Sequence, residues 1–160
     1  MNEYTAAAID HFTSPRNVGA VDPPDGKGSD ANPSCGDRTT ITIRVDDGRV
    51  AEARFRTFGC TAAIASASAL TELATGRSVE DAAALAPFDV LHALGGLPSR
   101  KEPCALMAVG ALRAALLDVR VRTGEGGAFG PGGPLPPHPT EPQGPREPAQ
   151  TKSAPGTGMR

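Results

Sequence analysis

The sequence predicts an α+β domain in which helices pack on one face of a small antiparallel sheet of about three strands. Two observations predict the order of layers. Residues 40–58 alternate with period two around an Asp47-Gly48 pair, and from Thr61 onward the apolar spacing becomes helical. A run of strands followed by a run of helices is the α+β pattern. A third observation bounds the domain: residues 123–160 hold 9 Gly and 9 Pro, with Phe129, Leu135 and Met159 as their large apolar residues. So few apolar groups do not offset the entropy of ordering the chain. The sequence therefore predicts a folded domain over 1–122 and a disordered tail over 123–160.

Each element has a local reason. Asn2 is placed to cap a helix over Glu3–Thr13, which stops before Ser14-Pro15. Residues 18–37 are rich in Gly, Pro, Asp and Asn and predict a loop with one short strand. A strand follows over Thr40–Val45, with Ile41, Ile43 and Val45 on its apolar face. Asp47-Gly48 makes a tight hairpin turn, and Val50–Phe58 returns with Ala51, Ala53 and Phe55 inward. Ile64, Ala67, Leu70, Leu73 and Ala74 then stripe a helix over Thr61–Thr75 that stops at Gly76. Ser78, with Asp81 three residues on, caps a short helix over Val79–Leu85. Another spans Phe88–Leu94 and ends at Gly95-Gly96. Pro103 opens the last helix, Cys104 to Arg122, striped by Met107, Ala108, Ala111, Leu112, Ala115, Leu116 and Val119.

Composition narrows the function classes. The 160 residues carry 18 acidic and 16 basic side chains, a net charge of −2. That balance supplies no cationic field for nucleic acid or an anionic membrane surface. No apolar run approaches the ~18 residues of a membrane span, and Met1-Asn2-Glu3-Tyr4 does not read as the basic start of a signal peptide. Three cysteines are an odd number and too few for a disulfide framework. A cytoplasmic protein with reduced thiols is the expectation.

Any chemistry lies with those thiols. Cys35 ends the Gly/Pro-rich loop, Cys60 follows Gly59 at a strand-to-helix junction, and Cys104 opens the last helix. A helix N-terminus carries unpaired N–H groups and partial positive charge, which favours thiolate over thiol. Asp37 adds a carboxylate two residues after Cys35. If the three junctions converge, Cys35, Asp37, Cys60 and Cys104 suit a tetrahedral divalent ion or the irons of a small Fe–S cluster. The alternative is that the cysteines are small buried hydrophobes, among the most buried of residue types. His11 and His92 read as surface or packing residues, and Arg54 and Arg56 as a solvated strand face.

Longer motifs carry a resemblance. Asp10-His11-Phe12 with Ser14-Pro15-Arg16-Asn17-Val18-Gly19, Asn32-Pro33-Ser34-Cys35-Gly36-Asp37 and the run Glu52 to Cys60 occur in order. Ala63-Ile64-Ala65-Ser66-Ala67-Ser68, Thr71-Glu72, Leu97-Pro98, Lys101 and Cys104 follow. Over roughly residues 4 to 120 the chain resembles the IscU/NifU amino-terminal family of iron–sulfur cluster assembly scaffolds.

The resemblance implies a SufE/NifU-like fold and a scaffold without turnover of its own. It binds iron and sulfide through Cys35, Asp37, Cys60 and Cys104, holding a [2Fe-2S] or other transient cluster for delivery to acceptor or carrier proteins. It further implies that a cysteine desulfurase supplies sulfur as a persulfide received by Cys104, and that Asp37 keeps the cluster labile. Leu97-Pro98-Ser99-Arg100-Lys101 resembles the loop read by a DnaK-type chaperone, with Ser99 in place of a second proline. One position departs from the pattern: Pro103 stands where the family usually has histidine, and proline binds no metal. The zinc-bound SufU-type sulfurtransferases also lack that histidine and form the alternative, although the insertion they carry is absent from Ala83 to Lys101.

Overall fold

A computed structural model describes residues 3–124. Asn2 and the segment after Gly124, predicted as a helix cap and a disordered tail, lie outside the described residues. The first helix, α1 (Ala6–Thr13), starts later than its composition suggests because Thr5 caps it: the Ala8 amide donates to Thr5 Oγ1 at 3.0 Å.

Three strands follow, β1 (Gly26–Asn32), β2 (Asp37–Asp46) and β3 (Arg49–Phe58), paired antiparallel in the order β1-β2-β3. Asp47 and Gly48 both have positive φ, +51° and +71°. That backbone matches the twist of the strands it joins. Thr39, Ile41 and Ile43 of β2 face the helices with Ala53 and Phe55 of β3, all fully or nearly fully buried.

Ala51, expected inward, is exposed, and its neighbour Val50 is buried instead. Pairing runs Arg44 to Glu52 and then Val45 to Val50, so Ala51 has no partner. This β-bulge reverses the inward phase of the first turn of β3.

The outer edge of β3 is covered from both ends. The Phe55 amide donates to the Asn17 carbonyl and the Gly19 amide to the Phe55 carbonyl, each at 2.9 Å. Near the hairpin, Val50 exchanges backbone hydrogen bonds with Gly76 and Arg77. A covered edge offers no free ladder to another chain.

α2 (Thr61–Ala74) is buried nearly all round. It lies between α1, β3 and the last helix, so the expected stripe is only part of its contact surface. Its alanines and serines let the neighbouring backbones approach closely. α3 (Val79–Ala83) is capped by Ser78 as expected, and α4 (Pro87–Ala93) starts on Pro87. A single 3₁₀ turn, Ser99–Lys101, leads into α5 (Glu102–Thr123), which crosses β1 and β2.

β1 explains its own composition. A Cβ on Gly26 would lie 2.2 Å from the Ala115 carbonyl oxygen, and one on Gly28 2.4 Å from that of Ala111. Only glycine lets the α5 backbone lie on this strand. The Gly-rich sequence that reads as loop is a strand under a helix.

Candidate functional site

Three chain junctions deliver the site. Asp37 is the first residue of β2 and is 6% exposed. Cys60 is the N-cap of α2, and Cys104 lies in the first turn of α5, 1% exposed. The two sulfurs are 3.8 Å apart. One carboxylate oxygen of Asp37 and the Sγ atoms of Cys60 and Cys104 all lie within 4.8 Å of one another. Sulfur-to-sulfur separations of this size fit two ligands of one tetrahedral ion.

Gly59 makes that arrangement possible. A Cβ there would stand 2.6 Å from Asp37 Cγ, so the strand end must be bare for the carboxylate to turn inward. The Cys60 amide points at Asp37 Oδ2, 3.5 Å away, tying the strand start to the helix start.

Cys35 is placed differently. It sits exposed on the β1–β2 turn, where the Cys35 and Gly36 amides donate to the Asn32 carbonyl at 3.3 and 2.8 Å. Gly36 has φ of +74°, a conformation that favours glycine. The structure thus brings together Asp37, Cys60 and Cys104, and leaves Cys35 outside their 4.8 Å set. Its thiol still acts on Asp37. Burial alone would raise the Asp37 carboxyl. The Cys35 and Cys60 thiols, the Cys60 amide and the Lys101 ammonium outweigh it and hold the pKa below the ordinary carboxylate value.

The expectation that a helix start favours thiolate is corrected at Cys104. Burial, then the neighbouring Cys60, then Asp37 and Cys35 push its thiol up to about 12. Cys104 is the third residue of α5 and faces inward with Ala62, Ala63 and Met107, so desolvation dominates the helix-end field. A cation entering the site would reverse that balance by displacing the proton.

Two neighbours were not singled out as site residues from the sequence. Lys101 places its ammonium beside the thiols: its pKa is raised, most by Cys60, with Tyr4 and Cys104 contributing. A cation three residues before a cysteine that opens a helix was the available signal. Tyr4 packs with Leu97 against the cluster of Ala62, Ala63, Cys104 and Met107, beside Cys60. Nothing in its local sequence points there. Pro103 is exposed in the first turn of α5 and offers no ligand atom.

Comparison with known proteins shows the family. The family described as NifU-like N terminal domain matches residues 3–125. The "Iron-sulfur cluster assembly scaffold protein IscU 1" of Archaeoglobus fulgidus is 45% identical over 122 residues, covering 76% of this chain and 80% of that protein. The "Iron-sulfur cluster assembly scaffold protein IscU" of Haemophilus influenzae is 40% identical over 125 residues, covering 76% of this chain and 98% of its own length. Among solved structures, the N-terminal part of a nitrogen-fixing NifU-like protein from Brucella abortus superposes with a TM-score of 0.60 at 17% identity. That match covers 75% of this chain and 96% of the other, and it concerns the fold alone.

Proposed function

Since the chain belongs to the NifU-like N-terminal domain family, we propose that it is a scaffold on which an iron–sulfur cluster is assembled and from which it is handed on. The carrying observation is the convergence of Asp37, Cys60 and Cys104 within 4.8 Å from three separate junctions. The cluster is cargo, not a resident cofactor. Cys60 and Cys104 supply soft thiolates matched to sulfide-bridged iron. Asp37 supplies a hard oxygen that matches it poorly, so the cargo is held loosely enough to leave. Cys35, exposed on its glycine-hinged turn beside Asp37, is the third thiolate, closing over iron as it arrives.

Sulfur arrives in this reading as the persulfide of a cysteine desulfurase. Once iron in the site has displaced the Cys104 proton, the thiolate attacks the outer sulfur, a new S–S bond forms as the donor's S–S bond breaks, and the donor cysteine leaves as its thiolate. Lys101, beside the thiols, is the cation that offsets the negative charge collecting there. Acceptor or carrier proteins take the finished cluster, and Leu97–Lys101 is the segment a DnaK-type chaperone reads. Among the described residues no helix is long and apolar enough to cross a membrane. We place the protein in the cytoplasm, where thiols remain reduced. The SufU-type zinc reading is not favoured, because the curated relatives at 40–45% identity are named as IscU scaffolds.

Anaerobic incubation with iron, cysteine, a desulfurase and a dithiol reductant, which supplies the two electrons that turn each persulfide's outer sulfur into sulfide, tests the proposal. Visible absorption of a bound cluster, transferable to an acceptor apoprotein, is expected. Tightly bound zinc that blocks cluster formation would favour sulfur transfer instead.

A further inference from the structure

The three residues before α1 lie against the connection between α4 and α5. Glu3 forms an ion pair with Arg100 in the 3₁₀ turn. Thr5 Oγ1 donates to the Leu94 carbonyl at the end of α4, and the Thr5 side chain covers Gly95, with Cβ–Cβ contact at 3.7 Å for a Cβ built there. Between them, Tyr4 lies with Leu97 on Ala62, Ala63, Cys104 and Met107, beside Cys60. Glu3 and Thr5 therefore grip the two ends of residues 94–101, the connection that also carries Lys101 to the thiols, while Tyr4 between them packs on the same cluster as Leu97.

We propose that Glu3-Tyr4-Thr5 is a strap that holds the 94–101 connection down over Cys60 and Cys104, so that its release governs access to the two inner thiols. Cys104 is 1% exposed although α5 begins at the surface with exposed Glu102 and Pro103, so cover comes from what packs across the helix start. The strap's attachments are of the kind that open without global unfolding. The ion pair is solvent-exposed, with side chains 52% and 61% accessible, and the rest is one hydroxyl hydrogen bond and one aromatic ring. A partner that draws off this segment would uncover the thiols and loosen 94–101 in one movement. The inference rests on the proposed function only in supplying a purpose for that access.

The test is alkylation of metal-free, reduced full-length protein by iodoacetamide in a Cys35→Ser background, so that only Cys60 and Cys104 react. The double variant Glu3→Gln, Tyr4→Ala, which leaves Thr5 to cap α1, is compared with its parent and with Arg16→Gln, at the opposite end of α1. Hydrogen exchange of the α2 amides is read on the same samples. The strap predicts alkylation about fivefold or more faster in the double variant, with α2 exchange unchanged and Arg16→Gln like the parent. Unchanged alkylation would overturn it, as would acceleration matched by equal acceleration of α2 exchange, which marks global opening. Because no metal is used, protein that never binds a cluster but alkylates as predicted would refute the scaffold reading and leave the strap standing.

Discussion

Gly59 and Asp37 are complementary: the first has no side chain where the second places its carboxylate, and a Cβ on Gly59 would lie 2.9 Å from Asp37 Oδ1. Gly59→Ala is therefore expected to push the carboxylate out of the site. Affinity for Zn2+, used as a probe ion, should fall by about tenfold or more in a chelator competition. The fold itself should lose about 1–3 kcal/mol in urea unfolding. Wild-type zinc affinity in this variant would separate Asp37 from the metal site.

Asp37→Ala removes the hard ligand and leaves the thiols. The cluster formed on this variant should outlast that on the wild type when exposed to a chelator and should transfer more slowly to an acceptor. A faster-decaying cluster would contradict the role given to Asp37.

The β1–α5 contact gives a test of the fold independent of the site. A methyl group on Gly28 meets the Ala111 carbonyl oxygen at 2.4 Å and the Ala115 amide nitrogen at 2.3 Å, both backbone atoms that move only with the helix. Gly28→Ala should cost about 2–3 kcal/mol or more in urea unfolding. Gly48→Ala meets nothing within 4 Å but holds φ at +71°, so it should cost less, about 1 kcal/mol.

His11 gives the protein a pH response at the contact between α1 and α2. Its Nδ1 lies 2.8 Å from Ser68 Oγ, and Glu72 Oε2 is 3.9 Å from Nε2. Burial and then the Arg16 guanidinium lower its pKa, outweighing Glu72 and Asp10, which raise it. The unfolded chain therefore takes up this proton at higher pH than the folded one. Stability is whole above the unfolded value near 6.5 and declines as pH falls through the folded value. Urea midpoints measured from pH 8 to 5 should fall at the acid end, and His11→Asn should flatten that fall. An identical slope in the variant would assign the response elsewhere.

The hairpin, α2, α3, α4 and α5 were legible because each carries a local signal: Asp47-Gly48, apolar spacing, Ser78, Gly95-Gly96, Pro103. β1 was only half legible. Its Gly26 and Gly28 have poor strand propensity, and their purpose, admitting the α5 backbone, lies more than 80 residues away in sequence. The bulge at Ala51 was invisible to a period-two reading, which assumes an unbroken ladder. At the site, Cys60 and Cys104 announced themselves at helix starts and Asp37 by its place near Cys35. The depth of Cys104 did not, since position along a helix does not say which way the first turn faces. Tyr4 was illegible for the same reason as β1: its contacts are all distant in sequence.

The central claim is that these side chains together hold iron and sulfide, and anaerobic iron and acid-labile sulfide content after reconstitution tests it most directly. The account predicts iron and sulfide in equal amounts on the wild type, both lost in Cys60→Ser with the fold intact by circular dichroism. Iron bound without sulfide, or loading indifferent to Cys60→Ser, would contradict it.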